Sequence, residues 1–342
     1  YFFFNSGGYS HSLNVFNSNI LKRIDEINPD IVNLHWVNNE LLSIKQIGKI
    51  KKPAVWTLVD MWPMCGGEHY TESSRYKNGY LKANKDIDNR LIDLNKILWR
   101  RKIKNWNNKF KSIICISDWL TNKASESVIF KNTNIKKINC NINTRDWTPI
   151  NKNVARDILK LDKNEKIFLF LSSNGASNKI KGFKFIDEAL SKISKNYDKF
   201  RLIIAGNERR NIGQKNYKHT LINKSFGGNM NELRLLYSAS DLLLAPSIME
   251  AFGQVAIEAA SCGTPTIAFK NTGFEDIIKN KHNGYIANYQ DQNDFTLGVE
   301  WFLNLNDVDI SNTSKNCLEI VKKKFDDRLI SQEYINLYKS IL

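Results

Sequence analysis

The segment from Asp241 to Phe269 most constrains what this chain can fold into. Asp241-Leu242-Leu243-Leu244-Ala245 is a short apolar run stopped by Pro246, and Thr266-Ile267-Ala268-Phe269 is a second. Apolar runs of that length, bounded by breakers, read as buried strands. Between them a helix is expected to start near Gly253 and to stop at Gly263, because Pro265 cannot continue it. Ala256, Ala259 and Ala260 give that helix a small-residue face able to lie close on a sheet. Two carboxylates ride on this frame: Glu250 in the loop before the helix and Glu258 in its early turns. Ligands of open α/β sheets bind at the carboxyl edge of the strands. Backbone N–H groups at a helix N-terminus there suit a phosphate, and nearby carboxylates suit sugar or ribose hydroxyls. Two glutamates eight apart are, by themselves, usually solvated charges; the frame around them singles these out.

The same alternation runs through the rest of the chain and predicts a doubly wound α/β architecture. Strand-like runs are Asp30–Leu34, Ala54–Leu58, Ser112–Ile116, Lys166–Leu171 and Arg201–Ala205, and helical periods include Phe183–Ile193 and Leu233–Ala239. A polar connector, Asn141 to Asn153, has no core pattern and marks a domain boundary. The expected organisation is an N-terminal domain over residues 1–145, a ligand-binding domain over 146–325 and a final amphipathic helix over 326–342. Leu329, Ile330, Tyr334, Leu337 and Ile341 form the apolar side of that helix. A length of 342 residues, 42% of them hydrophobic, suffices for two cores.

From Pro246 to Pro265 the chain resembles the Glu-x7-Glu donor-site motif of family 4 glycosyltransferases, which have the GT-B fold of two Rossmann-like domains facing a cleft. Gly273-Phe274-Glu275-Asp276-Ile277-Ile278 and Asn283-Gly284-Tyr285-Ile286-Ala287 match the same family's C-terminal lobe. The resemblance implies a retaining transfer from a nucleotide-sugar donor with no metal and no other cofactor. Glu250 and the backbone at Ala251, Phe252 and Gly253, with Gln254 and Val255 opening the helix, would hold the donor sugar. Glu258 would hold the ribose. The loop Ser172 to Gly182 is polar and flexible and exits on a cation, which suits a diphosphate. Read alone it is an ordinary loop, but Lys181-Gly182 matches the family's phosphate-binding position. Many relatives carry an arginine earlier in this loop where this chain has serine or asparagine, Asn174 among them, so phosphate charge is either less fully neutralised or met by another basic group, of which Lys179 is the nearest.

In the first half, Asp30 to Trp36 and Trp56 to Tyr70 read as strands that end in polar and aromatic residues. Trp56 to Tyr70 resembles a subgroup reading Leu-His-Asp-Met-Trp-Pro and then Gly-Gly-x-His-Tyr. That implies a catalytic role for Asp60 and an acceptor side built from His35, Trp62, Glu68, His69 and Tyr70. Rings beside carboxylates suit sugar recognition, although a lone histidine is more often structural. Val59 stands where the family has a histidine facing the donor sugar, so either activity is altered or His35 or His69 covers that role. Ser10 to Asn28 aligns with a later helix of this lobe, so its first strand, loop and helix are expected to be missing from the sequence.

Charge narrows the partners. The net charge is +15, of which residues 1–150 carry +10. Lys96 to Lys111 holds seven cations and no acid, with Leu98, Trp99, Ile103, Trp106 and Phe110 at helical spacing. Two readings stand: a membrane-surface helix for anionic lipid, or a helix packed on its own lobe with solvated lysines. Either is compatible with a glycan or lipid-linked acceptor, and no nucleic-acid motif accompanies the charge. The five cysteines are scattered without a Cys-x-x-Cys pair, which fits a reducing cytoplasm. No run approaches a membrane span, so any contact with the inner face of the plasma membrane would be peripheral. Asp86-Ile87-Asp88 and Asp307-Val308-Asp309 spell a metal-holding signature, but neither follows an apolar strand, and both are expected in surface turns. No Gly-x-Gly-x-x-Gly or Walker string is present. The functional expectation is therefore a sugar transferase of cell-surface polysaccharide synthesis. Its rivals are a nucleotide-sugar-binding subunit without turnover and, more distantly, a sugar-nucleotide epimerase.

Overall fold

The computed structural model describes residues 10–81, 92–173, 175–207, 214–223 and 229–342. Asn174, Asp86-Ile87-Asp88 and the stretch Tyr1 to Gly8 therefore lie outside the described residues. The chain divides into two compact units, Tyr1–Asn139 with Ser331–Leu342, and Cys140–Ile330. The first crossing falls a few residues before the expected boundary at 145. The early connector is tied to the C-terminal unit: Ile142 N donates to Phe325 O at 2.9 Å, and Arg145 pairs with Asp327 at 2.7 Å.

In the N-terminal unit, four strands lie parallel in chain order: β1 (Val32–Leu34), β2 (Ala54–Leu58), β3 (Ser112–Cys115) and β4 (Ile135–Lys137). Its helices are α1 (Ile20–Ile27), α2 (Ile44–Gly48), α3 (Arg75–Asn78), α4 (Leu94–Trp106) and α5 (Asp118–Ser125). Trp56 on β2 stacks edge-on against Trp106 and Phe110 and lies 6.1 Å from Trp62, so four large rings fill this core.

Helix α4 departs from the expected stripe. It buries Leu98, Lys102 and Trp106, whereas Ile103 is exposed and Trp99 only half-buried against Tyr80. Lys102 is inaccessible to solvent and donates to the carbonyls of Trp62, Cys65 (3.0 Å) and Gly66 (2.7 Å), with its ammonium 3.6 Å from the Trp62 ring. One of the seven cations is thus an internal strut rather than a solvated charge. Burial pulls its ammonium down to about 7, while Glu68 and Asp60 act in the opposite direction.

The C-terminal unit is built on β5 (Lys166–Leu171), β6 (Phe200–Gly206), β7 (His219–Asn223), β8 (Leu242–Ala245), β9 (Thr266–Phe269) and β10 (Gly284–Ala287). All pair in parallel in the order β10-β9-β8-β5-β6-β7. The central strands are buried on both faces, which is why they read as continuous apolar runs rather than alternating ones. The helices are α6 (Lys152–Leu159), α7 (Phe183–Ile193), α8 (Met230–Ala239), α9 (Gln254–Ser261), α10 (Gln292–Leu303), α11 (Asp307–Lys324) and α12 (Asp327–Ile341). Asp307 and Asp309 are the first turn of α11, capped by Asn306, and not a surface turn. The division between units falls within α12. That helix buries Ile330 and Leu337, leaves Leu329 exposed, and sets Tyr338 and Tyr334 against Asn33 and Thr57 of β1 and β2. Among the described residues no helix is long and apolar enough to cross a membrane.

The decisive feature is the order of the second sheet. From β5 the chain builds outward through β6 and β7, then returns to place β8 on the other side of β5. The loops after β5 and β8 leave adjacent strands in opposite directions, and the crevice at such a reversal is where this architecture takes ligands.

Candidate functional site

Both candidate donor loops start at that reversal. After β5 the chain makes a short turn of 3₁₀ helix, Lys179–Lys181, and enters α7 through Gly182. After β8 it runs Pro246 to Gly253 into α9. Ile248 N donates to Ile180 O at 2.8 Å and ties the two loops together. Gly182 has φ +70°, and a Cβ there would lie 2.0 Å from the Pro246 carbonyl oxygen. Only glycine permits this approach. The approach brings Lys181 Nζ to 2.7 Å from Glu250 Oε2, with both side chains largely shielded from solvent. Lys179, on the same turn, is exposed.

Glu250 is held from a third side, because Gly273 N donates to its carbonyl at 2.8 Å. Gly253, at φ +106°, lies flat on Phe274, where a Cβ would meet the ring at 2.3 Å. Ala251, Phe252 and Gly253 are buried, Gln254 is exposed and Val255 is half-buried. As N-cap of α9, Gly253 brings no side chain to the first N–H groups, and the first turn carries no acid. The helix therefore presents bare donors and the positive end of its dipole beside Glu250 and Lys181.

One turn deeper, Glu258 Oε2 accepts from Tyr237 OH at 2.8 Å. Burial pushes its carboxyl up to about 7, against hydrogen bonds from Tyr237 and Gln254 that pull it down. Tyr237 was absent from the sequence-based candidates. It lies on α8, far along the chain from the glutamate motif, and only the packing of α8 on α9 brings it in. Ser247, with Oγ 3.5 Å from Glu250 Oε2, was likewise not anticipated.

The N-terminal candidates divide. Asp60 and His69 are buried and paired, Asp60 Oδ2 to His69 Nδ1, at 2.6 Å. His69 Nε2 lies 2.8 Å from Ser12 Oγ, a residue in no motif of the sequence. Trp62 is fully buried in the aromatic core, which corrects the expectation that it meets an acceptor. Glu68 is also buried, with both oxygens accepting from Tyr80 OH at 3.2 and 3.3 Å, and is structural. Tyr70 is half-buried near Trp119, and His35 is exposed at the end of β1. Val59 is half-buried beside Asp60. Among the described residues no three His, Cys, Asp or Glu side chains gather closely enough to hold a metal ion.

Residues 151–324, just over half of the chain, match the family described as glycosyl transferases group 1. The chain belongs to the group 1 glycosyl transferases. An uncharacterized glycosyltransferase of Methanocaldococcus jannaschii is 28% identical over 193 residues, covering 54% of this chain and 47% of its own length. The N-acetyl-alpha-D-glucosaminyl L-malate synthase of Bacillus anthracis is 29% identical over 204 residues, covering 58% and 50%. The chain thus spans about half the length of the curated relatives it matches. Among solved structures, sucrose-phosphate synthase from Thermosynechococcus elongatus superposes with a TM-score of 0.69 at 17% identity, over 94% of this chain and 76% of that one. Anabaena HepE in complex with UDP and glucose gives 0.65 at 14%, over 94% and 82%. At these identities the likeness establishes the fold, which is that of GT-B glycosyltransferases. The match of this group 1 chain lies wholly beyond Asn139, on the unit that carries Lys181, Glu250 and Glu258.

Proposed function

We propose that this chain is a retaining sugar transferase whose C-terminal unit binds a nucleotide-sugar donor. The Lys181–Glu250 pair at the strand reversal, facing the uncapped start of α9, is the observation that carries the reading. A nucleoside diphosphate sugar presents the groups this site answers. Lys181 and the N–H groups of α9 offer positive charge to a diphosphate, and Glu250 offers a carboxylate to sugar hydroxyls. Glu258 offers another to a ribose. The solved relative with bound UDP supports uridine as the first base to try. As the glycosidic bond breaks, charge grows on the leaving diphosphate, and Lys181 stabilises it where it develops. The departing phosphate can itself take the acceptor's proton on the same face, so the scheme needs no protein nucleophile and routes no step through a metal. Asp60 belongs with the acceptor chemistry of the N-terminal unit, for a glycan or lipid-linked acceptor in surface-polysaccharide synthesis.

Asn174 and Lys179 remain proposed phosphate contacts. The exposed face of α4, with Ile97, Arg100, Arg101 and Lys104, supports peripheral contact with an anionic membrane from the cytoplasmic side. The test of the central reading is release of nucleoside diphosphate from a nucleotide-sugar panel on addition of glycan and lipid-linked acceptors, with product anomers read by NMR. Turnover with retention is expected, and Lys181→Ala should lower kcat by roughly two orders of magnitude. Val59 motivates the second reading, a donor-binding subunit. Donor affinity without turnover against any acceptor would favour it.

A further inference from the structure

We propose that Ser12, fixed by the His69–Asp60 pair, presents a hydrogen-bond-accepting oxygen to a hydroxyl of a pyranose ring stacked on Trp36. This deepens the transferase reading by naming where an acceptor sugar is held. The three polar side chains form a line of hydrogen bonds: Asp60 Oδ2 to His69 Nδ1 at 2.6 Å, and His69 Nε2 to Ser12 Oγ at 2.8 Å. A carboxylate oxygen accepts, so the Asp60 contact places a proton on His69 Nδ1, and in the neutral imidazole Nε2 is then an acceptor. With the ring in that tautomer Ser12 gives its one hydroxyl proton to His69. What Oγ has left is lone pairs, and a sugar hydroxyl is the complementary donor.

The geometry is built rather than incidental. Asp60 Oδ1 accepts from Trp62 N at 2.9 Å, and His69 N donates to Ser10 O at 3.0 Å. Ser12 is held through its backbone on both sides, N to Gly67 O at 2.9 Å and O from Trp62 Nε1 at 2.9 Å. Asp60 and His69 are buried, while Ser12 at the end of the line is half-exposed. Trp36 follows β1, its ring centre 6.0 Å from that of His69, and is 45% exposed. An open indole beside the histidine that orients Ser12, at the carboxyl edge of a parallel sheet, offers what a sugar needs: a face for its C–H groups and a partner for one hydroxyl.

The test uses the full chain labelled with ¹⁵N at histidine and tryptophan side chains. The probes are the methyl glycosides of glucose, galactose, mannose and N-acetylglucosamine, titrated one at a time. UDP binding, measured on the same samples, reports the donor site separately. We expect His69 to be protonated at Nδ1 alone, and at least one glycoside to shift both the His69 Nε2 and the Trp36 indole signals. Ser12→Ala should weaken that glycoside by roughly three- to tenfold, Ser12→Thr should restore it, and both should bind UDP as the parent does. Trp36→Ala, a change at an exposed position, should weaken it also. A panel in which no glycoside moves both signals overturns the proposal, as does a Ser12→Ala variant that binds like the parent. Loss of UDP binding in the parent chain would count against the donor site instead.

Discussion

Glu250 and Glu258 are the same residue type, eight positions apart, with different electrostatic surroundings. Glu250 is held by a lysine. Glu258 is half-buried against Tyr237, and partial burial pushes its carboxyl up to about 7. A carboxyl whose folded value lies above its ordinary 4.5 keeps a proton in the native state that the unfolded chain has already released. Stability therefore falls as pH rises from 4.5 to about 7 and levels off above. The full effect is on the order of 3 kcal/mol. Urea titrations at several pH values should show this slope in the parent and lose most of it in Glu258→Gln. If ribose hydroxyls bind the ionised form, UDP affinity should climb roughly tenfold between about pH 6 and 8 in the parent and stay flat in the variant. A parent whose UDP affinity is independent of pH would remove Glu258 from the ribose. Glu250 and Lys181 were each legible in the sequence because each sits in a local family motif, Lys-Gly on one loop and a glutamate before Phe-Gly on the other, but their pairing came only with the structure. The partner of Glu258 was not legible, because Tyr237 reaches it only through tertiary packing.

Three strands were legible residue by residue, Ala54–Leu58, Lys166–Leu171 and Thr266–Phe269, whereas Ile135–Lys137 and His219–Asn223, which lack a sustained apolar run, were not read as strands. Helix α4 shows where pattern reading fails. Its ring-bearing positions suggested a stripe through Ile103, but the buried face follows Leu98, Lys102 and Trp106. Lys102 is inside because the loop Trp62–Gly67 turns three carbonyls toward it and needs a donor. Nothing local to Lys102 announces that need, and the same loop carries Trp62 and Glu68 into the interior with it. Lys102→Met keeps the volume and removes the donor, leaving buried carbonyls unsatisfied. It should cost about 3 kcal/mol in urea unfolding. A change below about 0.5 kcal/mol would show that the ammonium is not what holds this loop.

At the scale of the molecule, two parallel α/β units share one chain, and the family match falls on the second. The charge falls more on the first, where Arg100, Arg101 and Lys104 line the exposed side of α4. If that side meets lipid, the protein should sediment with vesicles containing anionic phospholipid at low salt and release at high salt. Replacing the three cations by alanine should abolish sedimentation, and unchanged binding would exclude this face. The alternation of strands and helices followed from periodicity and breakers, which are written along the chain, and the donor loops were singled out by their resemblance to the family's motifs. The acceptor side did not, because burial decides which of Trp62, Glu68 and His69 can meet a ligand. Calorimetry of UDP and UDP-glucose on the parent and Glu250→Ala decides whether the strand reversal of the C-terminal unit holds a nucleotide-sugar through Glu250. The parent is expected to bind UDP-glucose more tightly than UDP, and the variant to lose this difference while still binding UDP. Equal affinities in the parent, or an unchanged difference in the variant, would contradict it.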